Sequence, residues 1–422
     1  MSASATAPES APAPVTSPGP IEFRWVSSLQ DIGREAWESC FPHDDVMQSF
    51  ALHQATEAAG LEGVEFHYLV GRSARGVVAI LPCFRFRTSL TTIAPAGVNK
   101  AVAAVRRLFP QFLYIHAFVI GTPIAICKDL LGLHPGLDGT ARADVLRASC
   151  REVLARAREL GLSLVFLKEL TSSLMPSVRD ALGEEFTFVE SPATTYLYLG
   201  EPGKSTYRER LRKKYRSLMN NRMARAEAAG LRWELCTDFA PYAKQMHPLY
   251  LQVLDRSKIR FETLSVDFFE KLPAHLGDRA FAMLCFKDER LVAFELFLQD
   301  GAWMHPIYLG LDYGFRDEGA LYFNCIYKIV EVLEARGRPV AQLGQTSYAV
   351  KASIGAVVDR LYLAVRHLNP VLNLLVKRFG AALFPPTQLP RSQRVFRDMK
   401  ENDEGLARHG IHFERLDDGG DE

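Results

Sequence analysis

FAMLCFKDERLVAFELFLQDGAWMHPIYLGLD, residues 281–312, and the YGFRDEGA that follows at 313–320 decide the reading of this chain. The apolar runs break at Lys287-Asp288-Glu289-Arg290 and at Asp300-Gly301. Both breaks are hairpin signals. Beyond Gly319, residues 320–336 carry a helical pattern closed by Gly337. Residues 339–343 then read as a strand, 347–354 as a short helix and 360–366 as a last strand. A strand that feeds a glycine loop and a helix N-terminus turns unpaired N–H groups and the helix dipole toward an anion.

The first half repeats this order more faintly. Residues 66–70 and 76–86 read as a hairpin, and an insertion follows. Residues 141–160 read as a helix closed by Gly161, 162–168 as a buried strand, 172–182 as a short helix, and 186–190 and 194–199 as strands. The helix–glycine–strand pieces ARARELGLSLVFL and VLEARGRPVAQLG correspond by role. Duplication is therefore read from architecture rather than from residue identity. Between the halves, KSTYRERLRKKYRSLMNNRMAR at 204–225 carries nine Lys or Arg against one acid, Glu209. Such a helix is either a solvated face or one turned toward phosphates or lipid headgroups.

With 422 residues the chain is long enough for two domains. A net charge of +1 excludes a global drive toward nucleic acid, so attraction to anions has to be local. The seven cysteines are scattered without a CxxC pair and read as buried reduced thiols, which points to the cytoplasm. Residues 1–20, rich in Ala, Pro and Ser, read as a disordered tail rather than a secretory signal. No apolar run reaches the roughly 18–20 residues that a bilayer span needs. No metal-ligand spacing and no GxSxG, HExxH or GxxxxGK[ST] motif occurs. The carboxylates after His43 read as a helix cap rather than as ligands.

Three pieces together resemble the GNAT fold in tandem, as in FemAB-like N-acyltransferases. They are the basic helix running into LRWEL, the hairpin that leads into Arg316-Asp-Glu-Gly319-Ala320, and the helix-to-strand unit 320–343 followed by Gln345-Thr-Ser-Tyr348-Ala-Val-Lys351. They cover about residues 205–366. The resemblance implies an α+β chain of two tandem GNAT-like domains, with central mixed sheets flanked by helices. The expected division is a tail at 1–20, an N-terminal domain at 21–200, a catalytic domain at 201–368, and an amphipathic helix with a tail at 369–422. It implies transfer of an acyl group from a thioester, or of an aminoacyl group from tRNA, to an amine. The family's phosphate loop has Gln or Arg, two residues, Gly, one residue, then Gly or Ala. Arg316 and Gly319 fit it, and Leu321 stands where a small residue is usual.

Glu295 interrupts the apolar strand VAFELFL, so it is either paired to a structural Arg or kept as a base with a raised pKa. His305, in WMHPIYL, is either a satisfied core group or a second base. Tyr308 and Tyr348 are candidate acids for the leaving group, or core tyrosines. Arg316, Gly319, Ala320 and Lys351 are the expected carrier-binding residues, with a surface lysine as the alternative for Lys351. Arg260 and Glu262 are expected at the acceptor pocket, or as a surface ion pair.

Two segments are unusually apolar. Residues 101–126 and 368–384 set Phe, Leu, Ile and Val beside Arg106-Arg107 and Lys377-Arg378. Each is either core or interface, or an interfacial segment lying on anionic lipid. Bacterial ceramide synthases are similar in size, tandem layout and greasy segments. The reading is an N-acyltransferase that moves a fatty acyl group from acyl-CoA or an acyl carrier protein to a lipid amine such as a sphingoid base. It is expected without a metal, and without nucleic acid as a partner. The expected location is the cytoplasm, peripheral on the inner membrane. The alternatives are a FemAB-like enzyme fed by charged tRNA and a non-catalytic module that senses lipid or acyl carriers.

Overall fold

A computed structural model describes residues 17–41, 44–89, 114–257 and 262–414. Arg260, His43 and residues 101–113 of the first apolar segment lie outside the described residues, as do 1–16 and 415–422 of the two tails.

Thirteen strands form one sheet. In chain order they are β1 (Glu22–Val26), β2 (Val64–Ser73), β3 (Gly76–Ser89), β4 (Tyr114–Ile120), β5 (Gly132–Leu133), β6 (Leu164–Thr171) and β7 (Thr187–Tyr198), then β8 (Leu231–Cys236), β9 (Ala280–Lys287), β10 (Arg290–Asp300), β11 (Trp303–Leu311), β12 (Val340–Gln342) and β13 (Val357–His367). The hairpin turns fall where the sequence breaks. Lys287 pairs with Arg290 across a two-residue turn in which Asp288 takes a φ of 52°. Asp300 pairs with Trp303 across Gly301.

The spatial order is β1-β2-β3-β4-β6-β13-β7-β12-β11-β10-β9-β8. Each half builds four antiparallel strands, then a helix, then a fifth strand parallel to the fourth. In the first half the helix Gly139–Glu159 connects β4 to its parallel partner β6. In the second, the helix Leu321–Ala335 connects β11 to β12. The last strands are exchanged. β7, from the first half, pairs with β12; β13, from the second, lies between β6 and β7 and pairs with both. A cut at residue 200 therefore divides the sequence but not the sheet.

The core joins the halves as well. Helices Ala243–Arg256 and Val266–Leu276 bury Met246, Leu249, Phe268 and Phe269 over β9–β11 in the same cluster as Trp37, Phe50 and Leu52 of the first half. On the opposite face, the basic helix Lys213–Ala228 and the helix Leu321–Ala335 pack on the second half's strands. All seven cysteines are free, and six are buried.

Candidate functional site

The parallel pair β11/β12 holds together for only two residue pairs, Trp303 with Val340 and Met304 with Ala341. Beyond them the strands diverge. His305 and Gln342 close the apex of this wedge: His305 Nδ1 lies 2.9 Å from Gln342 Oε1, and Gln342 Nε2 donates to the Tyr196 hydroxyl at 3.1 Å. The amide's orientation makes Nδ1 the protonated nitrogen of His305. Its Nε2 lies 3.5 Å from Asp300, which also accepts from the Val46 N–H. His305 is therefore held by a hydrogen bond at Nδ1, while its buried Nε2 makes none.

Just above the apex, β11 carries a bulge. Leu296 pairs with Tyr308 and Phe297 with Pro306, so Ile307 is the extra residue. A bulged residue drops out of the ladder and leaves its backbone N–H free for other partners. Proline at 306 fits, since bulges tolerate it inside a sheet. The corresponding strand of the first half, β4, keeps an unbroken register with β3 from Tyr114 to Ile120. The second half alone combines the bulge with the short parallel pair.

Glu295 and Lys351 flank this region. Glu295, on β10 beside the bulge, is 5 % exposed, and its Oε2 has no hydrogen-bond partner. Burial pushes its carboxyl up to about 8, against the pull of the Lys351 ammonium. Lys351, on the short helix Tyr348–Ser353, is equally buried, and burial brings its amine down to about 8. Its ammonium donates to the carbonyls of Leu343, Gly344 and Gln345 at 2.7, 3.1 and 2.8 Å. An ammonium has three N–H groups, so Lys351 spends all of them on the exit of β12 and keeps none for a phosphate. Thr346 and Ser347, in this same turn, both have positive φ. Strain of this kind persists where the surroundings over-determine it. Tyr322 and Cys325, on the helix above, both feel the charge of Glu295.

A second polar cluster lies where the halves meet. The Tyr308 hydroxyl donates to Glu262 at 2.9 Å, and burial raises the Glu262 carboxyl. The first half contributes Lys168 and Glu169. These two residues together oppose Leu363 in another bulge, and Glu169 has a φ of 59°. Lys168 donates to the carbonyls of Thr122 and Ile124, and Glu169 accepts from the Ile126 N–H. Cys127 lies near Glu169, Lys168 and Lys351, with its thiol pushed up to about 12 by burial.

The structure thus brings Glu295 to Lys351 and Tyr308 to Glu262. Tyr348, at the start of the short helix that carries Lys351, donates to the Ala193 carbonyl at 3.0 Å. The loop before the helix Leu321–Ala335 is occupied internally. Exposed Arg316 forks onto its neighbour Asp317. Gly319 abuts the basic helix, where an added Cβ would come within 3.1 Å of Leu231, Ala229 and Ala226. Ala320 follows with a φ of 54°, and Asn324 holds the Gly319 and Ala320 carbonyls. A cavity of about 310 Å³ that includes Lys204, Thr206, Glu334 and Arg338 lies at the far end of that helix, away from Glu295. Sequence reading missed Lys168 and Glu169. The signal was there: two charges inside the apolar run LVFLKEL form the same anomaly that exposed Glu295. Among the described residues no His, Cys, Asp or Glu cluster fits a metal ion.

No protein-family model matches the chain, and no curated protein matches it. Solved structures resemble it in fold. The C-terminal domain of a lysylphosphatidylglycerol synthetase-type protein from Agrobacterium fabrum overlaps 83% of this chain and 97% of its own, at 12% identity and a TM-score of 0.49. FemX overlaps 84% of this chain and 100% of its own, at 11% identity and 0.48. A tandem GNAT protein from the clavulanic acid biosynthesis pathway overlaps 83% and 99%, at 13% identity and 0.46. The assignment of a tandem GNAT fold rests on the strand order rather than on these overlaps: four antiparallel strands and a parallel fifth, twice, around exchanged last strands.

Proposed function

We propose that the chain is an N-acyltransferase whose reaction centre is the wedge between β11 and β12 in the second half. The observation that carries this reading is the bulge at Ile307 beside Glu295, a buried carboxyl poised near 8. Acyl transfer to an amine makes two demands. The ammonium has to lose a proton, and the carbonyl oxygen has to be held as it becomes an oxyanion. The ammonium gives its first proton to water. As the amine nitrogen bonds to the acyl carbon, ionised Glu295 takes the second proton from nitrogen, and the Ile307 N–H receives the oxyanion. Collapse breaks the bond to the leaving group, which takes the proton back from Glu295. Tyr308 is tied to Glu262 and orients that carboxyl at the edge of the acceptor site.

The donor is an acyl thioester and the acceptor a long-chain amine of the sphingoid type. Near-zero net charge and the apolar segments support this choice. A second reading is favoured by one observation. A bridge between Leu211 and Phe396 sets exposed Arg391 and Arg394 beside exposed Arg212, Lys213 and Lys214. Such a cluster suits a polyanion, as in an aminoacyl-tRNA donor. One experiment separates the two. Long-chain acyl-CoA is incubated with a sphingoid base, and thiol release and amide mass are followed; a parallel reaction supplies aminoacyl-tRNA. Amide with stoichiometric thiol supports the first reading, and transfer from tRNA alone replaces it with the second. No transfer in either arm removes both.

A further inference from the structure

We infer that the helix Pro370–Leu383 is a docking surface for an anionic lipid bilayer. This inference stands apart from the reaction proposed above. The helix is inverted relative to an ordinary surface helix. It buries only Asn373, Val376 and Gly380, with Gly380 close against Thr187 and Val189 of β7. It turns its large apolar side chains outward: Val371 is 70% exposed, Leu374 66%, Phe379 52% and Leu383 56%, with Leu372 and Leu375 close to half exposed. Six of the eight large apolar side chains exposed among the described residues belong to this one helix. A contiguous apolar face of this kind marks an interaction site on a soluble protein.

Charge identifies the occupant. Lys377 and Arg378 sit within the apolar face, and the helix has no acid. The chain between Asp359 and Asp398 has seven Lys or Arg and no Asp or Glu. Ser89 pairs with Tyr114, Ala117 with Leu164 and Leu164 with His367, so the ends of β3 and β13 and the starts of β4 and β6 lie together. Of the cations of β3 toward this end, Arg85 contacts Glu65. Nearby Glu185 faces Arg151 and Arg366. Exposed apolar side chains around Lys377 and Arg378, on a helix without an acid of its own, fit the headgroup region of an anionic membrane. A second copy fits worse, because a two-fold pairing of this face would bring Lys377 and Arg378 against their own copies. With 14 residues the helix is about 21 Å long, short of the ~30 Å hydrocarbon core, so it lies in the surface plane.

The test is co-sedimentation of the full chain with sucrose-loaded vesicles, without any acyl donor. Vesicles of phosphatidylglycerol and phosphatidylethanolamine are compared with vesicles of phosphatidylcholine. The wild type is expected to partition at least about tenfold more strongly onto the anionic vesicles. Combined Leu374→Ser, Leu375→Ser and Phe379→Ser should abolish that binding. Combined Lys377→Glu and Arg378→Glu should remove the preference for anionic lipid. Both variants change exposed residues, and circular dichroism checks their folds. Wild type that stays in the supernatant, or a triple-Ser variant that binds as wild type does, overturns the proposal. So does a wild-type dimer in sedimentation equilibrium that the triple-Ser variant abolishes, if vesicles are not bound. None of these outcomes bears on whether the wedge transfers acyl groups.

Discussion

At the scale of single residues, Glu295 decides the chemistry. Its folded pKa near 8 stands far above the ordinary carboxyl range, because burial disfavours the charge more than Lys351 favours it. As a base it works only when ionised, so kcat should rise about tenfold per pH unit from pH ~6 and level off above ~8. Glu295→Gln should lower kcat by about 10²- to 10⁴-fold and flatten that profile; unchanged turnover would remove the base assignment. Stability runs the opposite way. A raised carboxyl pKa means the folded state binds the extra proton, so its contribution is full below the unfolded pKa and is lost as pH rises through 8. Urea midpoints should therefore favour Glu295→Gln over wild type increasingly as pH rises from about 4.5 to 8, and by a constant margin above that. Lys351 provides a cross-check. Lys351→Met removes a charge that lowers the Glu295 pKa, so the kcat midpoint should move to higher pH. His305→Ala has a different signature. It strands Gln342 and Asp300 and should cost about 1–3 kcal/mol in urea denaturation while leaving the pH midpoint in place.

At the scale of elements, the bulge in β11 is the feature on which the reaction centre depends. Ile307→Pro removes a single N–H at a position already outside the ladder, next to a proline the strand accepts. If that N–H holds the oxyanion, kcat should fall about 10²- to 10³-fold with KM nearly unchanged. A fall confined to KM would assign the bulge to binding. This scale also shows what was legible in the sequence. The turns at Lys287–Arg290 and Asp300–Trp303 and the helix closures at Gly161 and Gly337 depend on neighbours a few residues apart, and they fall where composition put them. Glu295 was legible because a carboxyl in an apolar strand is an anomaly in any fold. The occupation of Lys351 was not. Its three carbonyl partners belong to the exit of β12, and a helix pattern at 347–354 says nothing about which way the ammonium turns. The tie between Arg316 and Asp317 joins neighbours in sequence and was open to view.

At the scale of the whole molecule, the exchange of β7 and β13 was out of reach of sequence reading. Both strands look like ordinary last strands of their own halves, and only long-range pairing reveals the swap. The exchange makes a strong claim about assembly. A first half expressed alone lacks β13, and β6 and β7 lose the strand that joins them. A second half expressed alone lacks β7, leaving an open edge at β12 beside the wedge. Exposed strand edges pair with whatever strand is available, so each half alone should aggregate. The shared core adds to the effect, because Trp37 and Phe50 of one half pack in the same cluster as Phe268 and Phe269 of the other. The chain offers a clean place to cut: Gly203 is exposed, has a φ of 81° and lies in the turn between β7 and the basic helix. Fragments 1–202 and 203–422, produced together, should co-purify as a one-to-one complex and regain transfer activity. Produced apart and mixed after folding, they should not, because insertion of β13 between β6 and β7 requires both neighbours to be unpaired. A second half that is soluble and active alone would show that the wedge needs neither β7 nor the Lys168–Glu169 bulge.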